Sequence, residues 1–399
     1  MRLGFLFNHD QVHQVAHSLP VALALADAGL DLEIVVATTN KRLTAEVIRL
    51  GAGKIGDTIA LVELGLRNGV SSRIAQVLET VVPARKLLVY RDNLDFFRSL
   101  DALIVTEKTS LVLKTRYQFG DLKIIHTRHG AGDRAIGFDK ASARFDHVLV
   151  SGAKIRDRLI AETDLTNDRI SVVGYPKFDM IDEGSAVHPM CNDGRPVVLY
   201  NPHVSPHLSS WYRWGRQILD WFFEHDDYHL IFAPHVMLFE RPFVLTVDRL
   251  RVDRPGHIDE RYLRSPNIHI DLGSRLSTTM AYTNRADIYI GDVSSQVYEF
   301  LLRPRPCLFL NAQGIDASDD ANFAHWGAGP VVSDLAEFEE AFDQAQARHV
   351  DLYAPIQRQL FHYSIDLTDE PSSLRAARAV AQALGHPFDC ATIRLADAV

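Results

Sequence analysis

"ADIYIGDVSSQVYEFLL", residues 286–302, is the stretch that decides how the chain is read. An apolar run from Ala286 stops at Gly291, and Asp292, Ser294 and Ser295 follow at once. Val297, Tyr298, Phe300 and Leu301 then resume an apolar pattern at helical spacing. The stretch therefore reads as buried strand, tight polar turn, helix. A single acid or hydroxyl would be enough to cap the free N–H groups of a helix start. Three polar side chains in four residues exceed that need. They point to an anion site, because the same N–H groups and the helix dipole attract phosphate.

The same alternation runs along most of the 399 residues. Strand-like runs occur at 2–7, 31–38, 102–106, 123–127, 147–152 and 170–174, then at 196–201, 229–234, 268–272, 286–292 and 306–311. Helical patterns lie between most of them. Near-continuous apolar strands alternating with helices imply parallel sheets covered on both faces. The rhythm pauses between Pro176 and Pro196, where "SAVHPMCNDGRP" holds turn formers and little periodicity. That pause divides the chain into a doubly wound α/β domain over 1–185 and a second over 195–370. The remainder, 371–399, reads as a helix "SSLRAARAVAQALG" and a tail that pack back on the first domain. "WYRWGRQILDWFFEH" (211–225) is a helix whose aromatic stripe reads as core.

Composition limits the function. Hydrophobic residues make up 47% and charged residues 23%, as in ordinary globular chains. A formal net charge of -9 disfavours a bulk nucleic-acid binder. Cys191, Cys307 and Cys390 are odd in number and far apart, so neither a disulfide framework nor a structural zinc site is expected. The N-terminus lacks the features of a signal peptide, and no run of about 18 apolar residues occurs, so a cytoplasmic location is expected. "VPARKLLVYR" (82–91) carries Arg85, Lys86 and Arg91. It reads as a solvated helix face, with contact to an anionic lipid or polymer at the inner face of the membrane as the alternative.

In doubly wound sheets ligands sit beyond the C-terminal ends of the strands, and between two such domains the cleft is the default site. The post-strand residues are therefore the ones to read. They are "RHGAGD" (Arg128, His129, Gly130, Asp133), "SG" (151–152), "YPKFD" (Tyr175, Pro176), "NPHVSPH" (Asn201, His203, Ser205, His207), "PHV" (His235) and "GDVSS". Imidazoles, hydroxyls and small residues recur at one sheet edge. GxGxxG, GxxxxGK[ST] and GxSxG are all absent, which argues against a dinucleotide fold, a P-loop and a serine hydrolase. "HDQVH" offers His9 and His13 at i, i+4, but HExxH is not satisfied because the second position is Asp10, so no metal is expected. What remains suits a diphosphate ligand bound without a protein-held metal or another cofactor. Histidine and helix N-termini can stabilise a departing phosphate, and a second histidine can deprotonate an incoming hydroxyl.

Taken in order, "HG" after a mid-domain strand, "VVGYPKFD", "VLYNPH", "FAPHV" and "DVSSQVYEFLLRPRPCLFLN" resemble the CDP-glycerol glycerophosphotransferase family, related to teichoic-acid polymerases. The resemblance spans about residues 120–311 and implies a GT-B fold. It implies that His129 is the general base toward the acceptor and that His235 contacts the donor diphosphate. Ser294 and Ser295, with Asp292, would bind donor phosphates, and Glu299 would reach the ribose. Asn201 and His203 stand near the Thr and Arg of the family's "LYAPTWR", and Arg128 replaces the aromatic residue of "WHG". These departures mean the donor need not be CDP-glycerol. Gly130, Tyr175 and Pro176 are further cleft candidates.

The expected activity is a metal-independent transfer of a glycerophosphate or glycosyl group. The donor is nucleotide-activated (CDP-glycerol, or a CMP- or UDP-sugar), and the acceptor is a hydroxyl of a bacterial envelope lipid or polysaccharide. Two alternatives are an isomerase similar to the UDP-GlcNAc 2-epimerases, which share the fold, and a non-catalytic nucleotide-sugar-binding protein.

Overall fold

The computed structural model describes residues 1–9, 11–66, 84–128, 130–134, 137–180, 193–240, 242–246 and 251–388, without the side chains of 84, 85, 245, 246 and 251. Two parallel sheets dominate. The first has seven strands in the order β3-β2-β1-β4-β5-β6-β7. These are β1 (Arg2–Phe7), β2 (Glu33–Thr38), β3 (Ala60–Glu63), β4 (Ala102–Val105), β5 (Lys123–Thr127), β6 (His147–Val150) and β7 (Ile170–Val172). The second has six in the order β12-β9-β8-β13-β14-β15. These are β8 (Val197–Asn201), β9 (His229–Phe232), β12 (Ile268–Ile270), β13 (Ile288–Gly291), β14 (Cys307–Leu310) and β15 (Val331–Val332). Between β9 and β12 stands an antiparallel pair, β10 (Val244–Thr246) and β11 (Arg251–Asp253).

All eleven strand-like runs of the sequence form strands. The four not foreseen are β3, β15, β10 and β11. β3 and β15 are short edge strands, and β10 and β11 belong to neither large sheet. Such segments need little apolar burial, so they leave a weak pattern in the sequence.

Contacts divide the chain out of sequence order. One unit is Met1–Gly130 with Ile136–Met180 and Ser364–Val399; the other is Ala131–Ala135 with Ile181–Tyr363. Of the linker expected between Pro176 and Pro196, residues 181–192 lie outside the described residues. In the first unit, α1 (Leu19–Asp27) covers one sheet face. The C-terminal helix packs beside it, numbered α4 here (Ser372–Ala383), after α2 (Trp211–Glu224) and α3 (Gln296–Phe300) of the second unit. Val15, Leu19, Val21, Leu25, Ala376 and Val380 share that core with Leu3, Phe5 and Val36.

"GYPKFD" anchors α4. Asp179 accepts the main-chain N–H groups of Ser372 (3.2 Å) and Ser373 (2.6 Å), satisfying donors left open at a helix start. The main-chain N–H of Tyr175 donates to Ser372 Oγ at 3.0 Å. Gly174, with φ +82°, lets the chain pass; a Cβ there would lie 2.4 Å from Ser372 Oγ. In the second unit the stripe of α2 is core, as its pattern requires. Trp211, Ile218, Leu219 and Phe222 are buried against β8, β9 and β13.

Candidate functional site

β13 ends at Gly291, and the turn that follows is organised by Asp292, which is 1% exposed. Its Oδ1 accepts the main-chain N–H groups of His203 (2.8 Å) and Val293 (2.6 Å). Its Oδ2 accepts the main-chain N–H (2.7 Å) and the hydroxyl (2.9 Å) of Ser210. The carboxylate is thus committed to tying the loop after β8 to the turn after β13. Burial raises its carboxyl above the ordinary value, while these donors pull it back.

Ser294 makes the helix-start contact, accepting the N–H of Gln296 at 3.3 Å. Ser295 is exposed and makes no capping bond. α3 has only five residues, so its dipole is that of little more than one turn. Glu299 lies on α3 and is buried.

His203 and His235, from the loops after β8 and β9, stand side by side with ring centroids 5.7 Å apart. His203 Nδ1 accepts the main-chain N–H of Ser205 at 3.0 Å, and His235 Nδ1 accepts that of Met237 at 3.3 Å. The bond at His235 favours the tautomer whose proton is on Nε2. Burial, followed by the nearby Arg134 charge, lowers His235 to about 4 and His203 well below its ordinary range; His235 and His207 add to the latter. Both rings are therefore neutral near pH 7. Asn201 closes β8, donating to the Ala233 carbonyl at 2.6 Å and accepting from Tyr289 Oη at 3.4 Å.

Asp133, among the post-strand residues read from the sequence, completes the site together with Arg134 and His325, which that reading passes over. Asp133, 3% exposed, accepts Tyr298 Oη at 2.6 Å and the main-chain N–H of His325 at 3.3 Å. It also meets His325 Nδ1 at 2.9 Å. Nε2 of His325 donates to the Asp292 carbonyl at 2.9 Å, and Trp326 Nε1 donates there at 2.7 Å. Arg134 reaches His203 Nε2 at 3.1 Å. The signal for Asp133 and Arg134 is a charged pair directly after the glycines of "HGAGDR". His325 sits in a 3-10 stretch, Ala321–Ala328, with no motif around it.

The other candidates belong to the first unit. His129 lies outside the described residues. Arg128 turns onto its own loop, donating to the Gly137 carbonyl at 2.6 Å and lying 4.5 Å over the Phe138 ring. Burial, then Arg158, lowers it to about 10. Gly130 has φ +87°, a left-handed conformation that favours glycine. Tyr175 is buried edge-on to His17 at 5.2 Å, and Pro176 opens the 3-10 turn Pro176–Met180. On the basic helix face, Lys86 pairs with Glu107 at 2.8 Å and Arg91 with Asp92 at 3.1 Å, while the side chain of Arg85 is outside the described set. Among the described residues no group of three or more His, Cys, Asp or Glu could hold a metal ion. Among them, too, no helix is long and apolar enough to cross a membrane.

Two doubly wound parallel-sheet domains define the GT-B class, and solved structures of that class match nearly the whole chain. A UDP-GlcNAc 2-epimerase from Neisseria meningitidis, bound to UDP-GlcNAc, is similar at TM-score 0.58 and 14% identity, over 96% of this chain and 99% of that one. The S. aureus MnaA-UDP co-structure is similar at TM-score 0.58 and 14% identity, over 97% and 99%. The wall teichoic acid polymerase TagF, soaked with CDPG, is similar at TM-score 0.53 and 14% identity, over 96% and 86%. At such identities the likeness is one of fold. No family model matches the chain. No curated protein matches its sequence.

Proposed function

We propose that the protein is a metal-independent transferase. It moves a glycerophosphate or glycosyl group from a nucleotide-activated donor to a hydroxyl acceptor of an envelope lipid or polysaccharide. One observation carries this reading. His203 and His235, both neutral and the latter with its N–H assigned to Nε2, stand together at the C-terminal ends of β8 and β9, while Asp292 brings the Ser294–Ser295 turn alongside. Neutral N–H donors and hydroxyls suit the phosphates of a donor. The GT-B neighbours bound to UDP-GlcNAc, UDP and CDPG support a nucleotide-activated substrate.

For a glycerophosphate donor the acceptor oxygen bonds to the distal phosphorus. The bond from that phosphorus to the bridging oxygen breaks, and a nucleoside monophosphate leaves. The acceptor proton passes to a base, assigned to His129 by the family resemblance. His235 Nε2–H and Ser295 Oγ–H donate to phosphate oxygens.

Ser295 offers a clean test because its hydroxyl is exposed and caps nothing. Ser295→Ala weakens nucleotide affinity by about 1–2 kcal/mol in calorimetry, with the unfolding midpoint unchanged. Unaltered affinity for CDP, UDP and CMP would remove the serine from the donor site. Transfer persists in EDTA; its loss, with rescue by magnesium, would show a metal-dependent reaction.

The isomerase reading is kept because 2-epimerases are as similar in fold as the polymerase. UDP-GlcNAc incubated without acceptor separates the two: epimerised sugar nucleotide by NMR would establish isomerisation.

A further inference from the structure

The segment Ala131–Ala135 belongs by its contacts to the second unit, although β5, just before it, is in the first. It lies against the turn that follows β13 and against α3. At Gly132 an added Cβ would sit 3.1 Å from Ser295 Cβ, so the backbone passes directly against the serine turn. Asp133 is held by Tyr298 of α3 and by His325. These two anchors place Arg134 at His203.

The contact at His203 has a defect in its hydrogen bonding. Nδ1 faces the main-chain N–H of Ser205 at 3.0 Å, and Nε2 faces the Arg134 guanidinium at 3.1 Å. Both partners are donors, and a neutral imidazole has one acceptor nitrogen. If Nδ1 accepts from Ser205, the Nε2–H points at the guanidinium N–H. If Nε2 accepts from Arg134, an Nδ1–H points at Ser205. Protonation makes matters worse, with two N–H groups against two donors and two like charges side by side. An oxyanion removes the conflict. One oxygen about 2.8 Å from both Nε2 and Nη1 accepts from each, as charge-assisted bonds require. His235 Nε2–H, on the neighbouring ring, is a third donor in the same place.

We infer that Arg134 clamps a phosphate of the donor, sharing its oxygens with the Nε2–H groups of His203 and His235, and that Asp133 positions Arg134 for this contact. The inference rests on the nucleotide-donor reading above and adds the residue that supplies the site's positive charge. Planar guanidinium fits phosphate with two parallel N–H bonds, which an ammonium cannot reproduce.

The test measures binding of inorganic pyrophosphate, CDP, UDP and cytidine to the full chain by calorimetry, alongside urea unfolding without ligand. Arg134→Gln lowers affinity for pyrophosphate and CDP by roughly 30-fold or more, and Arg134→Lys restores only part of it. Affinity for cytidine, which has no phosphate, does not change. Urea unfolding of the unliganded variants establishes that each is folded, so that a loss of affinity is read as a loss of binding. An arginine that merely held the fold would lower affinity for cytidine along with that for pyrophosphate and CDP. Wild-type affinity for pyrophosphate and CDP in both variants overturns the clamp while leaving the nucleotide reading intact. Pyrophosphate binding by the wild type that Arg134→Gln weakens, with no binding of CDP or UDP, upholds the clamp and overturns the nucleotide reading. A wild-type protein that binds none of them overturns both.

Discussion

Asp292→Asn tests the scaffold on which the site rests. The substitution preserves shape and changes one acceptor oxygen into a donor amide. The remaining oxygen can keep the N–H groups of His203 and Val293, now 2.8 and 2.6 Å from Oδ1. The new NH2 faces the Ser210 N–H, 2.7 Å from Oδ2. The Ser210 hydroxyl can turn round and accept from it, because its other partner, Tyr200 Oη at 2.9 Å, can serve as donor or acceptor. The net loss is one hydrogen bond to a charged acceptor, about 1.5–3 kcal/mol, and one stranded buried N–H, about 1–3 kcal/mol. Part is returned, because a neutral amide avoids the burial that raises the Asp292 carboxyl. A destabilisation of about 2–4 kcal/mol is expected from these magnitudes. Urea unfolding followed by tryptophan fluorescence reads it selectively. All four tryptophans, Trp211, Trp214, Trp221 and Trp326, belong to the second unit. A change below about 0.5 kcal/mol, the usual range for an unimportant surface position, would refute the assignment of Asp292 as the tie between the two loops.

Two further outcomes follow from the geometry. Gly174→Ala places a side chain at φ +82° and within 2.4 Å of Ser372 Oγ, so it loosens α4 from the first unit. The handedness cost alone is about 1–2 kcal/mol, and an unchanged far-UV thermal melt would contradict it. His235 is held at about 4, below its ordinary 6.5, so between those values the unfolded chain takes up a proton that the folded chain refuses. Stability from this source is complete above about 6.5 and is lost as pH falls toward about 4. His235→Gln flattens that part of the stability profile, and parallel profiles for variant and wild type would show that the ring does not titrate this way.

The apolar periodicity of the chain determined the two parallel sheets and the position of α2 and α4, because a strand buried on both faces or a helix with one buried stripe must write that burial into its residue pattern. It also marked the strand ends where His203, His235 and Ser295 stand, since polar residues directly after an apolar run can only lie at a sheet edge. What those residues do there was decided by the tertiary structure. Asp292 reads in sequence as a phosphate ligand or a helix cap; folding spends its carboxylate on Ser210, His203 and Val293, which are 82, 89 and 1 residues away. "GYPKFD" reads as part of a cleft, yet Gly174, Tyr175 and Asp179 hold a helix almost two hundred residues later in the chain. Asp133 and Arg134 carry no periodic signal, because their partners His325 and His203 come from distant segments. Burial is imposed locally, residue by residue, so it is legible in sequence. Hydrogen-bond partnership depends on which distant loops the fold brings within about 3 Å of one another, and no local pattern encodes that.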